Sequence, residues 1–329
     1  MKRRSPTLEG FQTMFRLPLL GLAEIAWRWS FGLAAAAALG FALREFLATL
    51  PVTAGEMLLL RTRQPALIAQ ALVRIFQGSA PRATIALAVL TLALTVAWIV
   101  LASLGRAATV KTLFEHFRGS ETPSASARQG LASLLALNFL RAATMLAAIV
   151  GVAGAMLLAK AASSPDDPSP GKVFLIFWML TMVIGLAYLL LNWYLSLAAI
   201  FVVRDEASAF GALVKATDLC RARPGALTAT GTWFGVAHAI VFVVASSAVA
   251  VPVGLAEVLP GSIVFGGVLL VTLLYFAVVD FLYVGRLAAY VFLVEEPDPE
   301  LKASLLLPSD DDILSDIPGL VPPLEAAGS

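Results

Sequence analysis

Cysteine, histidine and charge are all scarce in this 329-residue chain. Cys220 is the only cysteine, so no intrachain disulfide can form. Two histidines, His116 and His238, with that single thiol could scarcely supply a zinc site. No Walker loop, G-x-S-x-G elbow, H-E-x-x-H helix or C-x-x-C pair occurs. The acidic run DDDILSD (310–316) lacks the glycine and the spacing of a calcium loop. Charged residues make up 14% of the chain, whereas a soluble domain carries about 25%. The shortage of charge excludes an ordinary water-soluble fold, and the missing motifs remove the commonest catalytic machineries.

What is present instead is apolar: 59% of the residues, with a mean hydropathy of +0.87. A helix needs about 20 apolar residues to cross a hydrocarbon layer of about 30 Å. Six segments meet that length, at roughly 27–49, 83–105, 131–159, 173–203, 226–255 and 262–293. Backbone groups in lipid must bond within their own segment, so each is expected to be an α-helix. The expected fold is therefore an all-α polytopic membrane protein, a six-helix bundle with amphipathic interfacial helices. Its expected parts are an amphipathic lead over 1–26, a membrane domain over 27–294 and an acidic, disordered tail over 295–329.

The formal charge of +1 hides an asymmetry. Residues 1–294 hold 22 Lys/Arg and 13 Asp/Glu (+9), and residues 295–329 hold one Lys and nine acids (−8). With both ends placed in the cytoplasm, the inner loops carry 14 Lys/Arg and the outer loops 7. The stretch between the first two spans, EMLLLRTRQPALIAQALVRIFQ, is too charged to cross. Its rhythm predicts a helix lying on the membrane or on the protein's own outer face. Both inner loops also read as amphipathic helices. Val110, Leu113, Phe114 and Phe117 share one face, as do Phe210, Leu213, Val214, Thr217 and Cys220.

The informative residues are the polar ones inside the spans: Asn138, Arg141, Asn192, His238 and Asp280. Charges at membrane depth are costly and usually pair inside a bundle. Counted from the span ends, four of them, Arg141, Asn192, His238 and Asp280, fall in one layer, and Asn138 shares a face with Arg141. Arg286 is six residues beyond Asp280 and points elsewhere, so Arg141 is the expected partner of Asp280. That layer reads either as a buried pair that fixes helix register or as a polar site for a solute. The small-residue runs Gly32/Ala36/Gly40, Ala147/Gly151/Ala155 and Gly231/Gly235 predict close helix packing.

The six-span plan and the loop RDEASAFGALVKATDLCRARPGAL resemble a loose group of bacterial membrane proteins. The group includes the membrane domain fused to some glycerophosphodiester phosphodiesterases. Glu206, Ala212-Leu213, Thr217 and Arg221/Arg223 stand in that group's acid, alanine-leucine, hydroxyl and basic positions. The resemblance implies a bacterial inner-membrane setting. It does not imply the phosphodiesterase activity, because that soluble domain is absent. The leading expectation is a non-enzymatic membrane scaffold or lipid-interacting module. A small-solute or lipid transporter using the Arg141/Asp280 layer is the alternative, and an intramembrane enzyme has the least support. Bilayer lipid is the expected partner, with a protein partner conceivable at the acidic tail or the inner amphipathic helices. No cofactor, metal or nucleic acid is expected.

Overall fold

A computed structural model describes residues 5–50, 52–62, 64–118, 127–163 and 169–296. The acidic tail from 297 and most of the loop SSPDDPSPG lie outside the described residues.

Ten helices follow one another among the described residues: α1 (Pro6–Arg16), α2 (Pro18–Ala48), α3 (Ala54–Arg61), α4 (Pro65–Gln77), α5 (Ala80–Arg118), α6 (Ala127–Ala161), α7 (Pro170–Asp205), α8 (Ala209–Ala222), α9 (Pro224–Gly254) and α10 (Gly261–Glu295). Six of them, α2, α5, α6, α7, α9 and α10, are long and apolar enough to cross a membrane. They alternate in direction, and their sequence limits explain where they start. Proline stands at the first turn of α1, α2, α4, α7 and α9, where its missing N–H costs nothing. Thr53 and Glu56 form a reciprocal capping box on α3. The backbone N–H of Thr53 also bonds the Glu56 carboxylate at 2.7 Å, which holds that carboxyl below its usual range.

The bundle has two unlike ends. The packed end is where α1 and α2 begin, α5, α7 and α10 finish, and α6 and α9 start. Its core runs through Val110, Leu113 and Phe114 of α5, Leu134 and Leu137 of α6, Leu195–Val202 of α7, and Leu287–Val294 of α10. Both turns of α7 and α10 here are buried on nearly every side. At the far end the same helices turn their large side chains outward. Exposed apolar residues run from Ile85 to Leu104 on α5, Phe139 to Leu158 on α6, Phe174 to Leu191 on α7, Trp233 to Val253 on α9 and Ile263 to Phe276 on α10. The stretches on α5, α6, α7 and α9 match the length that a hydrocarbon layer requires, and that on α10 is shorter. At about 1.5 Å per residue the 35 residues of α10 span about 52 Å, so the helix outruns that layer and does so at the packed end.

Three sequence expectations are corrected. The helix of the first span begins at Pro18, not near 27, so Glu24 joins Arg28 in it. The first inner loop is not a separate helix: α5 continues to Arg118, since no breaker interrupts 106–118. The second inner loop does form its own helix, α8, but rotated from the expected face. Ala212 and Ala216 are its buried residues, while Phe210 (78% exposed) and Val214 (60%) look outward.

Glycines mark the closest approaches. A Cβ on Gly10 would lie 2.6 Å from the Gly285 carbonyl oxygen and 2.7 Å from Ala289 Cβ, so α1 seats directly on α10. Gly105 faces the Trp27 ring and Gly21 faces Phe281 in the same way. Of the expected small-residue runs, Gly151 meets Ile184 and Gly231 meets Tyr290. Gly32, Gly40 and Gly235 have open space beside them.

Candidate functional site: an arginine cluster around Tyr283

Asp280 pairs with Arg28, not with Arg141. The Arg28 Nη1 donates to Asp280 Oδ1 at 2.8 Å, joining α2 to α10. Arg28 also donates to Glu24 Oε1 through Nε at 3.0 Å and Nη2 at 2.6 Å. Glu24 and Arg28 are one helical turn apart, the spacing at which side chains meet. The other Glu24 oxygen accepts from the Trp27 indole N–H at 2.9 Å and the Thr109 hydroxyl at 2.8 Å. Glu24 is thus buried with four donors aimed at it, which is how a buried carboxylate is retained.

Arg141 has other company. Its Nη2 donates to the Ser196 hydroxyl on α7 at 2.5 Å, and its Nη1 reaches Asn138 at 3.5 Å. Asn138 in turn donates to the Ser103 hydroxyl on α5 at 2.8 Å, inside the bundle. These are neutral acceptors, so Arg141 has no carboxylate across from it among the described residues. Asn192 is half-buried one residue beyond the exposed stretch of α7. His238 is exposed within the apolar stretch of α9, where its Nε2 lies 3.3 Å from the Tyr275 hydroxyl. The expected single layer is therefore not one site. Arg28–Asp280 and Asn138–Arg141 are brought close to each other, and His238 belongs to a separate α9–α10 contact.

Tyr283 is the centre that sequence reasoning missed. The Arg28 guanidinium lies 4.3 Å from its ring centroid, Arg106 5.0 Å and Arg286 5.9 Å. A desolvated cation over an aromatic face contributes about 2 kcal/mol. Arg141 is within electrostatic reach of Tyr283, Arg106 and Arg28. Four arginines thus surround one phenol, while Glu24 and Asp280 are the carboxylates among them. Four positive and two negative charges leave an excess of two positive charges.

Arg106 is only 7% exposed, and its Nη1 has no hydrogen-bond partner among the described residues. The Arg141 Nε and the Tyr283 hydroxyl are likewise buried without a well-formed hydrogen bond, although the guanidinium and the phenol lie within reach of each other. A buried donor left unmade costs about 1–3 kcal/mol, and more when charged. Three orphan donors on three helices, α5, α6 and α10, therefore share one neighbourhood. The signal in the sequence was Tyr283 itself, one turn before Arg286 and one turn after Asp280.

A second polar cluster ties the helix ends together. Arg118 bonds Glu295 through two parallel N–H groups at 2.6 and 2.7 Å, and Arg204 approaches the same carboxylate at 3.4 Å. Arg223 donates to the Leu293 and Glu296 carbonyls at 3.2 and 2.9 Å. Here every described cation has an acceptor, in contrast to the Tyr283 cluster. Cys220 is half-buried in α8, and burial pushes its thiol above the usual range, so it is a poor nucleophile.

No protein family, curated protein or solved structure matches the chain.

Proposed function

We propose that the chain is a non-enzymatic membrane module that organises lipid or a partner protein at one face of the bilayer. The setting we propose is a bacterial inner membrane with both termini cytoplasmic. The Lys/Arg bias of the loops supports the orientation, and the resemblance carried by the 204–227 loop supports the compartment.

The observation that carries this reading is the build of the two short helices at the packed end. Each seals one face on the bundle and turns bulky apolar residues outward beside a basic one. On α1, Met14 and Gly10 pack inward, while Phe15 is 74% exposed next to Arg16. On α8, Ala212 and Ala216 pack inward, and the Tyr194 hydroxyl of α7 bonds the Leu213 carbonyl and the Thr217 hydroxyl, both at 2.5 Å. Phe210 and Val214 then face out beside Lys215. Aromatic and basic residues paired in this way suit the level where acyl chains meet headgroups. The transporter reading rested on an Arg141/Asp280 pair, and with Asp280 held by Arg28 that pair does not carry it.

The test is the lipid retained by the purified chain in native membrane discs. Wild type is expected to hold a shell enriched in anionic lipid, and the double change Phe210→Ser, Val214→Ser to hold fewer lipids. A wild-type shell identical in composition to the bulk membrane, unchanged by the double substitution, would refute this role.

A further inference from the structure

We infer that the Tyr283 cluster is a binding site for a phosphate-type oxyanion, whether carried on a lipid headgroup or free. The inference deepens the lipid-interacting reading and rests on it for the lipid source, though the site itself is argued from its own geometry.

Charge is out of balance in the cluster. Arg28, Arg106, Arg141 and Arg286 gather about Tyr283 with Glu24 and Asp280 alone to balance them, and both carboxylates are engaged by Arg28. The cations left over, Arg106, Arg141 and Arg286, have no carboxylate partner among the described residues. A ligand that restores balance must be an anion.

Hydrogen bonding is incomplete there as well. The groups left unmade are the Arg106 Nη1, the Arg141 Nε and the Tyr283 hydroxyl. Guanidinium nitrogens donate and cannot accept, so what is missing is an acceptor. The missing group has to accept from several directions at once, which is the property of a tetrahedral oxyanion. Arginine meets phosphate oxygens with better geometry than lysine does, and these are all arginines.

The level of the cluster suits such a ligand. Exposed apolar side chains stop at Leu104 on α5, begin at Phe139 on α6 and stop at Phe276 on α10. Arg106 is two residues beyond Leu104, Arg141 two residues inside Phe139, and Tyr283 and Arg286 follow Phe276 within three turns. On these three helices the cluster therefore lies along the edge of the apolar belt, the height at which lipid phosphates sit, while on α2 exposed Leu22 and Leu33 flank Arg28. Arg28 and Asp280 keep partial exposure, at 22% and 14% of their side chains, which leaves the cluster an open side. An excess of positive charge also selects against a headgroup that brings its own cation.

The experiment uses the full chain in neutral detergent and measures binding of phosphatidylglycerol, phosphatidylcholine and inorganic phosphate. Phosphatidylglycerol is expected to bind about tenfold more tightly than phosphatidylcholine, and Arg106→Gln to lose about tenfold in that affinity. Arg286→Gln removes a charge that makes no hydrogen bond within the described protein, and it is expected to weaken binding without harming folding. It therefore decides the matter if Arg106→Gln does not fold. Inorganic phosphate binding that falls with the same substitutions, with no preference for phosphatidylglycerol, would support the site and assign it to free phosphate, against the lipid reading. Phosphatidylglycerol binding that is equal in wild type and both variants would leave the lipid reading standing and overturn this site.

Discussion

The packed end and the far end of the bundle share six helices but are held together differently. At the packed end, Leu195–Val202 and Leu287–Val294 are buried among neighbouring helices, and ion pairs bridge five helix ends. At the far end, residues such as Leu175, Leu186 and Leu270 are each at least 60% exposed, and Gly32 and Gly40 of α2 touch nothing. Lipid is as apolar as leucine, so no hydrophobic force drives helices together there. Beyond the belt, burial and charge pairing can both act. The arginine cluster sits on the boundary between these regimes, which is the level where charge becomes tolerable and a polar ligand becomes reachable.

This contrast can be broken at chosen residues. Leu293→Ala, in the packed core, is expected to lower unfolding free energy by about 3 kcal/mol, read by denaturation in mixed micelles. Leu270→Ala at the far end should change it by less than about 0.5 kcal/mol. Equal effects at the two sites would erase the distinction. Gly10→Ala forces a methyl against the Gly285 backbone and should cost about 2 kcal/mol, with protease cleavage appearing before Pro18. Rapid cleavage there in wild type would contradict the docking of α1.

Smaller effects sharpen the same picture. Alkylation of Cys220 is expected to be slower than that of a free thiol at pH 8. The raised thiol holds less thiolate at that pH, so its rate should still be climbing at pH values where a free thiol has levelled off. A plateau at the free-thiol pH would show that the core does not cover it. Glu206 ends α7 with φ of 51°, a left-handed conformation that glycine adopts without cost. Glu206→Gly should raise stability by about 0.5–1 kcal/mol, and a loss instead would mean that its carboxylate holds the α7–α8 corner.

The six spans were legible because their apolar runs exceed anything a soluble helix needs. The boundary of the first was not, because hydropathy trims charged turns, and the turn that holds Glu24 was trimmed away. The partner of Asp280 was hidden for a related reason: Arg28 stands at the very edge of the expected first span, which left Arg141, deeper in its span, as the expected partner. On α8 the large residues suggested the buried face, yet close helix contact selects the alanines and leaves Phe210 outside. The Tyr283 cluster joins residues from α2, α5, α6 and α10 that are separated by up to 258 positions (28 to 286). Such convergence is set by helix packing, and no local pattern encodes it.

The pairing of Asp280 is the hinge of this account, and a pair of double-mutant cycles measures it. Asp280→Asn is combined with Arg28→Met and, separately, with Arg141→Met, and each set is unfolded in mixed micelles. The expected coupling is above about 1 kcal/mol with Arg28 and within about 0.5 kcal/mol of zero with Arg141. Strong coupling to Arg141 and none to Arg28 would contradict the α2–α10 ion pair and the arginine cluster built beside it.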